Sequence, residues 1–214
     1  MTGTPVHLAR LLLEERSPDV HRDLQDATRL HRTVQSLFPD ALGTAPRAAL
    51  NTLYRLERER TGAVLLVQST LPINHNALRG GYTRQIDHRD LRPLLDWIRA
   101  DRLIRYRIDA NPMKSLFVRG RRGTRVPLSG QDALAWWDQQ ARKAGVANRL
   151  VQDLPQPDVR ATRGTAPPIR LRAIRFEGVG AVTDSDALRT AVLTGIGRGR
   201  AFGLGLLSVA PYQE

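Results

Sequence analysis

Apolar and polar residues along the chain define a short series of elements. Residues 5–13 (PVHLARLLL) form an apolar run that reads as a strand at the start of the chain. Ser17-Pro18-Asp19 then offers a capping residue and an early proline, the usual signals of a helix entry. From Val20 the apolar positions recur at Leu24, Ala27, Leu30, Val34, Leu37 and Phe38, close to a 3.6-residue period. This pattern predicts one continuous helix ended by Phe38-Pro39-Asp40. The segments 49–59 (ALNTLYRLERE) and 62–70 (GAVLLVQST) read as two strands joined at Thr61-Gly62. A weak helical piece at 74–79 and a strand at 82–88 complete the order strand, helix, strand, strand, helix, strand. That is the split βαβ arrangement of ferredoxin-like folds.

The second half repeats this order without repeating the letters. LIRYRIDA (103–110) alternates as a strand, and QDALAWWDQQARKA (131–144) reads as a helix closed by Gly145. Strands follow at 146–153 and 169–177, then a helix at 185–193 and a short strand at 204–209. The predicted class is α+β, with two tandem ferredoxin-like (RRM-like) domains built on antiparallel sheets. The boundary is placed within 89–102, giving domains at 1–92 and 102–214. LRPLLDWIR, inside that boundary, also has helical spacing.

Charge bears on the partner. The 214 residues carry 33 Lys+Arg against 21 Asp+Glu, a formal charge of +12. Only Lys114 and Lys143 are lysines. A GC-rich genome accounts for Arg in place of Lys, but not for the surplus of basic over acidic residues. The balance points to a polyanion, nucleic acid first and an acidic membrane surface second. The absence of cysteine excludes disulfide scaffolds and Cys-ligated zinc. No apolar run approaches the ~20 residues of a membrane helix, and the first residues lack a secretory pattern. The reading is therefore a cytoplasmic protein.

Two segments carry dense positive charge outside the periodic pattern. Residues 119–125 place Arg119, Arg121, Arg122 and Arg125 around two glycines, and 155–168 places Arg160 and Arg163 among prolines. These segments are either solvated loops or arms that grip phosphates through Arg forks. Five glycines between Gly195 and Gly205 surround Arg198 and Arg200. The spacing fits neither a P-loop nor a dinucleotide fingerprint. The loop either holds a phosphate or packs against the neighbouring domain.

Metal chemistry finds no support in the pattern: His7, His21, His31, His75 and His88 include no pair with zincin spacing. His31 lies on the apolar stripe of the first helix, with Thr28 and Gln35 one turn to either side. It is either a hydrogen-bonded core residue or a residue facing an inter-domain cleft, and spacing alone favours the core. An imidazole exchanges protons near neutral pH, which RNA cleavage by an adjacent 2′-OH requires.

Taken together, these segments resemble the CasE (Cse) endoribonucleases of type I-E CRISPR systems. The likeness rests on an opening L-x-R-x-x-L strand, L-H-R-T-V (30–34), L-Y-R-L-E (53–57), L-L-V-Q-S (65–69), A-N-P-M-K (110–114) and F-E-G (176–178). The ending G-I-G-R-G-R-A-F-G-L-G-L-L-S-V-A-P (195–211) is its most specific part. The resemblance implies metal-independent cleavage of precursor CRISPR RNA within repeat hairpins, without a cofactor. The enzyme would then stay on its product beside other Cascade subunits. His31 aligns with the family's catalytic histidine. The family often has a tyrosine three residues earlier, where this chain has Thr28; either His31 works with another cation or turnover is slower. Arg22, Arg29 and Lys114 are expected to stabilise charge near the phosphate. Arg160 and Arg163 fall where a basic strand or hairpin of the family meets the RNA stem. The competing reading is a non-catalytic hairpin-binding subunit of the same fold, and a ribosomal accessory protein would explain the charge but not the ordered motifs.

Overall fold

The computed structural model describes residues 5–39, 50–118 and 121–213. Its first sheet contains β1 (His7–Leu13), β2 (Leu53–Glu59), β3 (Gly62–Ser69) and β4 (Thr83–Asp90), in the antiparallel order β2-β3-β1-β4. This is the ferredoxin-like order the sequence predicts. Ala9, Leu11 and Leu13 of β1 alternate inward and bury against Ala63, Leu65 and Val67 of β3. Leu30 and Val34 close that core from the helical layer.

That layer differs from the prediction. There are two helices, α1 (Pro18–Gln25) and α2 (Ala27–Ser36), separated by Asp26 in an extended conformation (φ −140°, ψ 108°). The Asp26 carboxylate accepts the Thr28 N–H at 2.9 Å and caps the second helix. Capping therefore overrides an apolar period that runs across the break. Asp40 lies outside the described residues. The weak piece at 74–79 is a single 3₁₀ turn, His75–Ala77.

The second sheet has β5 (Leu103–Ala110), β8 (Val146–Arg163), β9 (Ala166–Val182) and β10 (Ser208–Pro211), in the order β10-β5-β9-β8. It repeats the first topology, with α4 (Gly130–Lys143) and α5 (Ser185–Thr194) over its core. Trp137 and Phe176 stack there at 5.4 Å. The short helix α3 (Arg92–Trp97) adds Leu94, Leu95 and Trp97 to this second core.

Both segments read as loops are partly strands. Residues 155–168 belong to the long β8–β9 hairpin, whose tip is Gly164-Thr165. Pro155 and Pro157 are tolerated because β8 is an edge strand and the ladder shifts register between Gln156 and Val159, and Pro167 and Pro168 of β9 because β5 does not reach beyond Ile174. The other segment contributes to a two-stranded ribbon of β6 (Met113–Val118) and β7 (Arg121–Pro127). The predicted last strand at 204–209 begins only at Ser208.

Strand alternation sorts β2 into two faces. Tyr54 and Leu56 pair with Val67 and Leu65 on the helical face, while Arg55 and Glu57 face the second sheet. Arg55 is 2% exposed. It bonds to Glu57 at 2.8 Å, to the carbonyls of Leu206 and Arg107 at 2.8 and 3.2 Å, and to Ser208 Oγ at 2.9 Å. Arg107 adds a bond to Glu57 Oε2 at 3.2 Å. Gln68 Nε2 donates to the Val192 carbonyl at 2.8 Å, which ties the first sheet to α5.

Candidate active site

A cleft of about 670 Å³ opens between the two units. Its wall includes Ala27 and Leu30 of α2, Tyr54 of β2, Arg160 of β8 and Gly203 of the glycine-rich loop. His31 follows Leu30 on α2 and is half-buried; its ring stacks at 6.4 Å, with 25° between the planes, on Tyr54. Tyr54 is itself 1% exposed and donates its hydroxyl proton to the Ala201 carbonyl at 2.7 Å. His31 thus sits at the edge of the first core, beside a ring that itself lines the cleft.

The glycine-rich loop packs against the first sheet at this point. Gly203 has φ +79°, and a Cβ there would stand 3.0 Å from the Tyr54 ring, so a side chain would strain the backbone and crowd the ring. Arg200 donates to the Thr194 carbonyl at 2.8 Å and caps the end of α5, whereas Arg198 is exposed.

Thr28 is a tether. Its hydroxyl donates to the Thr162 carbonyl at 2.7 Å, linking α2 to the tip of the β8–β9 hairpin. Asp26 accepts from the Thr162 amide at 3.1 Å and from the Thr162 hydroxyl at 2.5 Å. Burial alone would raise the Asp26 carboxyl, but the bonds from Thr162 and Thr28 outweigh it and hold the group below its ordinary value. Arg160 and Arg163 flank this contact, are exposed, and pair with no carboxylate among the described residues.

The remaining basic candidates lie elsewhere. Arg22 and Arg29 line a separate hollow of about 310 Å³ with Arg32 and Arg79, where Arg22 and Arg79 both pair with Asp19. At 100° per residue Arg29 stands about 160° around α2 from His31. Lys114 is exposed on β6 and pairs with Asp132 of α4 at 3.2 Å, in a separate hollow lined by Met113 and Trp136. Arg125 is exposed on β7. Arg119 and the side chains of Arg121 and Arg122 lie outside the described residues.

Sequence reasoning missed Tyr54, Asp26 and Thr162. Tyr54 was visible only as part of L-Y-R-L-E. Asp26-Ala27-Thr28 carries a helix-cap signal, hidden inside a longer apolar period. Nothing local marks Thr162. Among the described residues no three His, Asp or Glu side chains gather where a metal ion could sit. No described helix is long and apolar enough to cross a membrane.

Comparison with known proteins gives a consistent set of relatives. A family model described as CRISPR associated protein matches residues 6–211. The CRISPR-associated endoribonuclease Cse3 of Thermus thermophilus is 29% identical, over 95% of this chain and 99% of its own. The CRISPR system Cascade subunit CasE of Escherichia coli is 29% identical, over 87% and 93%. A structure of the CRISPR endoribonuclease Cse3 bound to a 19-nucleotide RNA superposes with a TM-score of 0.81 at 28% identity, covering 97% of this chain and all of that one.

Proposed function

Because the chain belongs to the CRISPR-associated protein family, we propose that it is an endoribonuclease that cleaves precursor CRISPR RNA within repeat hairpins and remains on the product as a Cascade subunit. One observation supports this reading above others. A half-buried histidine stacks on Tyr54, a wall residue of a cleft that Arg160 also lines with no described carboxylate to neutralise it, and the relatives are named as an RNA-cleaving enzyme and a Cascade subunit.

Cleavage needs one proton removed and one supplied. The 2′-oxygen attacks the adjacent phosphorus and its proton passes to a base, while the P–O5′ bond breaks and the 5′-oxygen takes up a proton. A 2′,3′-cyclic phosphate and a 5′-OH result, with no metal required by the balance. His31 is the acid–base group of this reaction, fixed in place by Tyr54. Arg160 and Arg163 bind phosphates and add charge opposite the phosphorane as it develops. Arg22, Arg29, Arg125 and Arg198 form outlying phosphate contacts, since A-form stems are read mainly through backbone and shape. Arg200 supports the loop. Lys114, held by Asp132 in its separate hollow, is left out of the catalytic set.

The domains divide as 1–92 and 102–214, with α3 docked on the second, and the protein works in the cytoplasm. A second reading, a non-catalytic hairpin-binding subunit, is favoured by the Thr28 hydroxyl being committed to Thr162.

Single-turnover cleavage of the host repeat hairpin in excess EDTA decides between them. The enzyme cuts the all-ribose RNA and leaves intact an RNA with a 2′-deoxy nucleotide at the cut site. Tight binding without any cutting would make the protein a holding subunit.

A further inference from the structure

The outer part of the β8–β9 hairpin has no sheet beneath it. Strand β5 pairs with β9 only from Ala181 to Ile174, so beyond Gln156 and Ala173 the hairpin continues as a two-stranded ribbon. Such ribbons are marginal alone, yet Ala161 near this tip is fully buried. A shift of register between Ala161 and Arg163 leaves Thr162 out of the regular pairing. Its amide and hydroxyl go to the Asp26 carboxylate, and its carbonyl accepts from Thr28. All three polar groups of one residue are thus satisfied by the first turn of α2 and its cap.

We propose that Asp26 and Thr162 form a latch that fixes the ribbon tip on the helix carrying His31, holding Arg160 and Arg163 in place for RNA before it arrives. The inference rests on the function proposed above and adds a positioning pair to it. Thr162 lies between the two arginines and is tied to Thr28, one helical turn before His31. The latch spares the RNA the cost of ordering the ribbon on binding. It contains no cation of its own, so its loss weakens binding without changing how binding depends on salt.

The test is binding of a repeat-hairpin RNA made uncleavable by a 2′-deoxy nucleotide, measured across a salt series. Thr162→Val removes the hydroxyl bond without touching the helix cap, and it weakens binding about fivefold, the scale of one hydrogen bond. The slope of log K against log salt stays as in wild type, and Thr162→Ser restores affinity. Asp26→Ser keeps a capping oxygen but falls short of Thr162, and reproduces the loss. In an Arg160→Ala/Arg163→Ala background, Thr162→Val has no further effect. Wild-type affinity in Thr162→Val overturns the latch, as does an equal loss with and without the arginines, which would mark a purely structural bond. Failure of the wild-type protein to bind the hairpin overturns the proposed function and the latch together.

Discussion

Tyr54 stacks its ring on His31 at 6.4 Å while its hydroxyl is held by the Ala201 carbonyl at 2.7 Å. One buried side chain thereby connects a helix of the first unit to the glycine-rich loop of the second. The orientation of the histidine depends on the two units being correctly seated, and this coupling underlies the expectations that follow.

His31→Ala lowers the single-turnover cleavage rate by about 10²–10⁴-fold, the usual contribution of a general acid–base group. Hairpin affinity stays near wild type, because the histidine contributes little of the phosphate grip. Rate and affinity measured on the same preparation check this, and an unchanged rate would remove His31 from the mechanism.

Replacing Arg160 and Arg163 by alanine weakens RNA binding and flattens its salt dependence. For every phosphate no longer neutralised, the slope of log K against log salt falls by about 0.7–0.9. Titration at several salt concentrations reads this directly, and a slope equal to wild type would show that neither arginine touches phosphate.

Tyr54→Phe retains the ring and loses the bond to Ala201, costing about 1 kcal/mol of stability with a modest loss of rate. Tyr54→Leu removes the stacking surface and lowers the rate further. Gly203→Ala acts through the same pair, since φ +79° and a Cβ 3.0 Å from the ring force Tyr54 to move. Parallel urea melts and cleavage assays would separate stability from rate; equal rates in Tyr54→Phe and Tyr54→Leu would show that stacking is irrelevant to catalysis.

The junction between the sheets rests on Arg55 and Glu57. Arg55→Ala leaves Glu57 buried beside a single remaining hydrogen-bond partner, Arg107, and costs about 3–5 kcal/mol in denaturant unfolding. Burial by itself raises the Glu57 carboxyl, but Arg55, then Arg107 and Arg175, outweigh it and hold the group below its ordinary value of 4.5. A carboxyl lowered on folding contributes stability in full above the unfolded value and loses it as pH falls through the folded one. The share of stability that Glu57 contributes is therefore flat from neutral pH down to about 4.5 and declines below it. Glu57→Gln removes that share, so the mutant loses less stability in acid than wild type, and an acid decline identical to wild type would assign it to other carboxyls such as Asp26.

Much of the architecture was legible in the residues themselves. The apolar runs of β1 and β3, the alternation in β5 and the helical pattern of α4 each arise from one chain segment meeting one core. The surplus of arginine marked a polyanionic partner for a similar reason, since charge sums without reference to the fold. His31 was legible as a candidate because it interrupts an apolar stripe with a titratable ring.

Relationships between distant segments were decided only by the tertiary structure. Residues 155–168 looked like a loop because their prolines argue against a strand, and only the edge position of β8 and the end of β5 pairing at Ile174 make them acceptable. Thr28 looked like a stand-in for the family's tyrosine beside His31, but its hydroxyl bonds to Thr162, 134 residues away. Lys114 looked like a charge for the site, yet Asp132 holds it in a separate hollow. The sequence by itself determined the elements, their topological order and the sign of the partner's charge, because these depend on local periodicity and composition. Which polar groups meet across the cleft depends on the register of β8 and β9 and on how two separate cores are seated together, and no local pattern encodes that.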